Sequence, residues 1–154
     1  MCKKICCCFG HREVYQNIKK PLNEAIEYAV SSGCTEFLTG GMGDFDRKFT
    51  SAVCSAKTRH PDKNIKIILV KPYFSNELNT NRKYYEQIYD DIIIPESVHG
   101  VHYKKAITVR NRRMADTSDL IIAFVYRDFG GAYTSLKYAQ KKGKEVINLA
   151  DDFK

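Results

Sequence analysis

The stretch RNRRMADTSDLIIAFVYRDFGGAYTSLKYA, residues 110–139, decides the fold. Its centre, Leu120-Ile-Ile-Ala-Phe-Val125, is an unbroken apolar run after Asp119 and before Arg127-Asp128-Phe129-Gly130-Gly131. That pattern reads as a buried strand entering a glycine turn. From Tyr133 the apolar positions, among them Leu136 and Ala139, recur at helical spacing. Gly143 then closes the segment before a last short strand, Glu145 to Leu149. A strand, a Gly-Gly turn and a helix start together offer free backbone N–H groups and the positive end of a helix dipole, which suits an anion.

Working outward, the same arrangement recurs. Lys3 to Phe9 reads as a first strand ending in Gly10-His11-Arg12, followed by a helix over about Gln16 to Ser32 with Ile18, Leu22, Ile26 and Ala29/Val30 in one stripe. Thr35 to Thr39 is a second strand, ending in Gly40-Gly-Met-Gly-Asp44-Phe-Asp46. A helix follows over about Asp46 to Arg59, with Phe49, Val53 and Ala56 inward and a stop at His60-Pro61. Ile65 to Val70 is nearly continuous aliphatic sequence, as a strand covered on both faces requires. Pro72, Asn76, Asn79 and Asn81 mark Lys71 to Asp90 as a loop with a short helix within Arg82 to Tyr89. Asp91 to Ile94 is a fourth strand, and Tyr103 to Ser118 a helix. This alternation predicts an α/β fold: one doubly wound, mostly parallel sheet with helices on both faces. The 154 residues are expected to form a single domain.

In such sheets ligands bind outside the strand carboxyl ends. The predicted ligand-binding residues therefore lie on the turns: Gly10, His11 and Arg12; Gly40, Gly41, Gly43 and Asp44; Gly130, Gly131 and Ala132. Arg110 and Arg113, three apart on one helix, are expected to share a face and reach one anion, while Arg112 points elsewhere. His11 is expected to donate to a base, ribose or phosphate, and Asp44 and Asp46 to accept from ribose hydroxyls, with Asp46 equally suited to be a helix N-cap.

Composition narrows the classes. No apolar run reaches the roughly 18 residues of a membrane span, and Ile5 to Phe9 is too short for a signal core, so the expected location is the cytoplasm. A net charge of +7 favours phosphorylated ligands or polyanions. Of six cysteines, Cys6, Cys7 and Cys8 are consecutive in a strand, where side chains alternate in direction, so they cannot converge on one metal. His99 and His102 have no neighbouring ligand set. The reading requires neither a metal nor a cofactor.

The ordered turns resemble the SLOG superfamily, the Rossmann-like group that contains the DNA-processing Smf/DprA proteins and the LOG enzymes, and most of all its YpsA-like branch. The resemblance rests on Phe9-Gly-His-Arg12, Thr39-Gly-Gly-Met-Gly-Asp-Phe-Asp46, Arg110-Asn-Arg-Arg-Met114, Ser118-Asp-Leu-Ile-Ile-Ala123, Gly130-Gly131 and Tyr138-Ala-Gln-Lys-Lys-Gly-Lys144. It implies a pocket for a nucleotide-derived ligand, adds Asn111 to the site and suggests a homodimer or higher homo-oligomer. The chain departs from the LOG pattern where Lys137 stands in place of the catalytic glutamate, and from the YpsA-like pattern where Ala132 replaces a threonine. The reading is thus a binding module that senses or sequesters a nucleotide-derived small molecule. The alternatives are an N-glycosidic hydrolase using Asp44 or Glu96, and binding of single-stranded nucleic acid, favoured by the charge and ten tyrosines.

Overall fold

The computed structural model describes residues 4–74 and 80–153, apart from the side chains of residues 104 and 152. Lys3 of the predicted first strand and Asn76 and Asn79 of the predicted loop lie outside the described residues. Six strands form one sheet: β1 (Lys4–Gly10), β2 (Cys34–Thr39), β3 (Lys66–Val70), β4 (Asp91–Ile93), β5 (Leu120–Phe124) and β6 (Glu145–Asn148). Their order is β4-β3-β2-β1-β5-β6, and each neighbouring pair is parallel. The chain builds outward from β1 to the β4 edge, then returns to place β5 on the other side of β1. The connections leaving β1 and β5 therefore diverge, and a crevice opens between them.

Helices α1 (Lys19–Ser31) and α2 (Asp44–Arg59) cover one face, while α4 (Tyr103–Thr117) and α5 (Gly131–Lys141) cover the other; α3 (Arg82–Ile88) precedes β4. The alternation of strand side chains shows why both layers are needed. Cys6 and Cys8 join the core beneath α1 and α2 with Ile26, Phe45, Phe49 and Val53. Cys7 and Phe9 join Met114, Ala115, Leu136 and Ala139 of α4 and α5. All three thiols are free and buried, and burial raises their pKa values, that of Cys7 to about 12. They pack as small apolar groups.

Two helix starts differ from the sequence expectation. The first helix begins at Lys19, after an irregular segment from His11 to Ile18 that buries Val14 and Ile18. The second begins at Asp44, with Gly43 as its N-cap at a φ of 91°, so Asp46 lies in the first turn and is not the cap. Among the described residues no helix is long and apolar enough to cross a membrane.

Candidate functional site

A cleft of about 320 Å³ opens at the carboxyl ends of β1, β2 and β5. Nine of the predicted residues line it: Gly10, His11, Arg12, Gly40, Arg110, Asn111, Gly130, Gly131 and Ala132. Gly41, Gly43, Asp44 and Arg113 are not among its lining residues. A larger groove of about 640 Å³ lies between α1 and α2, away from the glycine turns.

The turn after β5 is the open side of the cleft. A Cβ on Gly130 or Gly131 would meet nothing within 4 Å, and Gly130 caps α5 at a φ of 94°. The residue conformation explains Gly130, since few L side chains adopt it. Gly131 has no such constraint, so its bare backbone leaves the first-turn N–H groups of α5 accessible. Exposed Arg12 and Arg127 flank the same cleft, together with Phe129, which is 65% exposed.

The glycines of the turn after β2 stand in closer surroundings. Gly41 and Gly43 serve packing: a Cβ would come within 2.6 Å of Leu69 and 2.7 Å of the Arg12 backbone, respectively. Gly10 and Gly40 reach the cleft, yet a Cβ on either would strike the Phe45 ring at 2.3 Å or the Arg110 guanidinium at 2.9 Å. Asp44 faces the α1–α2 groove, where it accepts from the Val14 N–H at 3.1 Å and pairs with Arg47. Neither Asp44 nor Glu96, the two candidate catalytic carboxylates, is among the residues lining the cleft.

Arg110 and Arg113 do not act as a pair. Arg113 is exposed, whereas Arg110 is 3% exposed and spans the sheet ends. Its Nη1 donates to the Val70 carbonyl at 2.8 Å and to the Gly40 carbonyl at 3.4 Å, and its Nε donates to Asn111 Oδ1 at 2.8 Å. Arg110 thus ties α4 to the ends of β2 and β3 while contributing charge to the cleft wall. Burial lowers its pKa, opposed by the nearby Asp46.

His11 also differs from expectation. Its Nε2 accepts from the backbone N–H groups of Tyr126 at 3.1 Å and Arg127 at 3.4 Å, so in the neutral ring the proton sits on Nδ1. The ring packs edge-on against Tyr126 at 4.5 Å. Burial and then the Arg127 charge lower its pKa. His11 fixes the course of the β5–α5 turn, and Asn148 assists by holding Val125 through both its amide atoms.

Asp46, unlike Asp44, is brought into the cleft. It is 8% exposed and lines the cleft floor. Oδ2 accepts from the Met42 N–H at 2.9 Å, and Oδ1 accepts from the Cys8 thiol at 3.4 Å. Burial raises its pKa to about 6 against these stabilising contacts. Arg127, Phe129 and Met42 also line the cleft without having been singled out. For Arg127 a signal existed: a cation directly after a buried strand, before a glycine pair.

The order of strands defines a Rossmann-like α/β fold, with a cleft at the divergence of β1 and β5. In fold the chain is similar to DNA processing protein A (DprA) from Streptococcus pneumoniae, with a TM-score of 0.64 and 16% identity over 94% of this chain and 49% of that one. It is similar also to DprA from Helicobacter pylori, whose structure was described for a single-stranded DNA binding mode: TM-score 0.63, 16% identity, 97% of this chain and 71% of that one. The chain spans about half the length of the S. pneumoniae protein. No protein-family model and no curated protein matches the sequence.

Proposed function

We propose that the cleft binds single-stranded nucleic acid one nucleotide at a time, as a member of the Smf/DprA side of the superfamily the sequence resembles. The observation that carries this reading is the convergence, in one cleft, of the open Gly130–Gly131 turn, Arg12 and Arg127, and the exposed Phe129 ring. A phosphate would rest on the α5 N-terminus between the two cations, and a base would stack on Phe129. Stacking on aromatics is tolerant of sequence and contributes about 1–3 kcal/mol per base. The single-stranded DNA binding described for the H. pylori protein supports the same direction, whereas the YpsA-like resemblance gains no support from either neighbour.

Fluorescence anisotropy with a labelled oligothymidylate tests the reading. Gly131→Val should keep the fold, because open space surrounds that position and its φ is ordinary, yet it should weaken binding by tenfold or more. Wild-type protein that fails to retain the oligonucleotide even at low salt would end the proposal.

A second reading is favoured by the cleft volume, which suits a single nucleotide-sized guest. In it the protein captures a free nucleotide-derived small molecule. Isothermal titration with mononucleotides and ADP-ribose separates the two: tight binding of the free compound, with no gain from added nucleotides, favours capture.

A further inference from the structure

We infer that the outer face of α4 and α5 is a backbone track for a polynucleotide, a second surface that continues from the cleft. The inference rests on the nucleic-acid reading of that cleft, and it is carried by how the charge is distributed. Among the described side chains, α4 and α5 hold six cations, of which Lys105, Arg112, Arg113, Lys137 and Lys141 are exposed, against one acid, Asp116. Helices α1 and α2, on the opposite face of the sheet, hold six against four. One layer of the protein is thus strongly basic and the other is nearly balanced.

Asp116 does little to neutralise its layer. Its side chain accepts from the Tyr138 hydroxyl at 2.8 Å, while Lys144 donates to its backbone carbonyl. Around it the cations are spread over tyrosine rings. Arg112 and Lys142 approach the Tyr138 ring at 5.3 and 5.5 Å, and Lys137 approaches Tyr133 at 5.4 Å. A cation held on a ring keeps its N–H donors for an incoming phosphate while losing side-chain freedom in advance. Interleaved cations and aromatics suit a phosphodiester backbone.

The face is also continuous with the cleft. Ile107, Arg110 and Asn111 of α4 and Gly131, Ala132 and Ser135 of α5 form cleft wall, and the exposed Lys141 ends α5 at the far side. The eleven residues of α5 extend about 16 Å. At about 3.4 Å per stacked nucleotide that is roughly five nucleotides beyond the cleft.

The test compares a trinucleotide, which reaches little past the cleft, with an oligothymidylate of about fifteen residues, each titrated across salt concentrations. The triple variant Lys137→Gln/Lys141→Gln/Lys142→Gln removes exposed side chains, and an unchanged thermal midpoint verifies its fold. Each lost phosphate contact lowers the salt slope by about 0.7 for a single strand, so the longer oligonucleotide should lose about 2 in slope while the trinucleotide is unaffected. A control, Lys19→Gln/Lys20→Gln/Lys48→Gln, removes three charges from the opposite layer.

An equal loss in the control would show that only net charge matters and would overturn the track. So would unchanged binding of the longer strand by the α5 variant, leaving the face to an acidic protein or another copy of the chain. If the trinucleotide fails to bind wild-type protein, the cleft reading fails, and a track that continues from the cleft fails with it even where the longer strand depends on the α5 lysines.

Discussion

Asp46 and His11 are both buried, titratable and on the cleft wall, and burial pushes both towards the neutral form. Their effects on stability have opposite signs. The folded chain holds the Asp46 proton more tightly than an unfolded chain does, with a pKa of about 6 against an ordinary 3.8. Its contribution is therefore full below about pH 4 and is lost as pH rises through about 6, by up to about 3 kcal/mol. His11, with its pKa lowered from 6.5, contributes stability present above that value and lost as pH falls below it. Asp46→Asn should remove the first effect alone. In urea titrations, the stability of the variant relative to wild type should grow by up to about 3 kcal/mol between about pH 4 and pH 7. Parallel curves would refute the buried-carboxyl account. Neither role was legible in the sequence, because each depends on a partner remote along the chain. His11 meets Tyr126 and Arg127 more than a hundred residues away, and Asp46 meets Cys8 across the α2–β1 contact.

At the scale of elements, the strands and helices were legible because their apolar periods are unambiguous. The buried β5 run and the stripe of α2 both stand where the sequence put them. The roles of the glycines were not legible. A glycine at a strand end looks the same whether a ligand or a neighbouring helix requires it. Gly10 answers to α2: the Phe45 ring fills the place of its Cβ at 2.3 Å, so β1 and α2 approach as closely as they do only because that atom is missing. Gly10→Ala should consequently cost about 1–3 kcal/mol, the usual range for overpacking, whereas Gly131→Val should shift the thermal midpoint by only a few degrees. Melting both variants side by side checks the contrast. Equal destabilisation would mean that the α5 turn is packed as tightly as the end of β1.

For the molecule as a whole, the strand order sets a gradient of stability from the centre of the sheet to its edges. Strands β1 and β5 pair with each other and with a further strand on their outer sides, and β5 is buried along its whole length. Strand β4 is a three-residue edge, exposed at both its ends. The cleft opens where β1 and β5 end, two strands that are each paired on both sides, so its floor is anchored to a well-constrained part of the chain. Amide hydrogen exchange should accordingly show β1 and β5 opening only with global unfolding, and β4 with the adjoining α3 exchanging through smaller local openings. The latches predict more. Arg110 ties α4 to the ends of β2 and β3, and removing it leaves the buried Val70 carbonyl without that donor. Arg110→Ala should lower protection first around the Val70 and Gly40 ends and leave the β1–β5 pair protected. Uniform exchange across all six strands, or a loss in Arg110→Ala that is greatest in β5, would show that the sheet opens as one unit and that the cleft has no rigid floor.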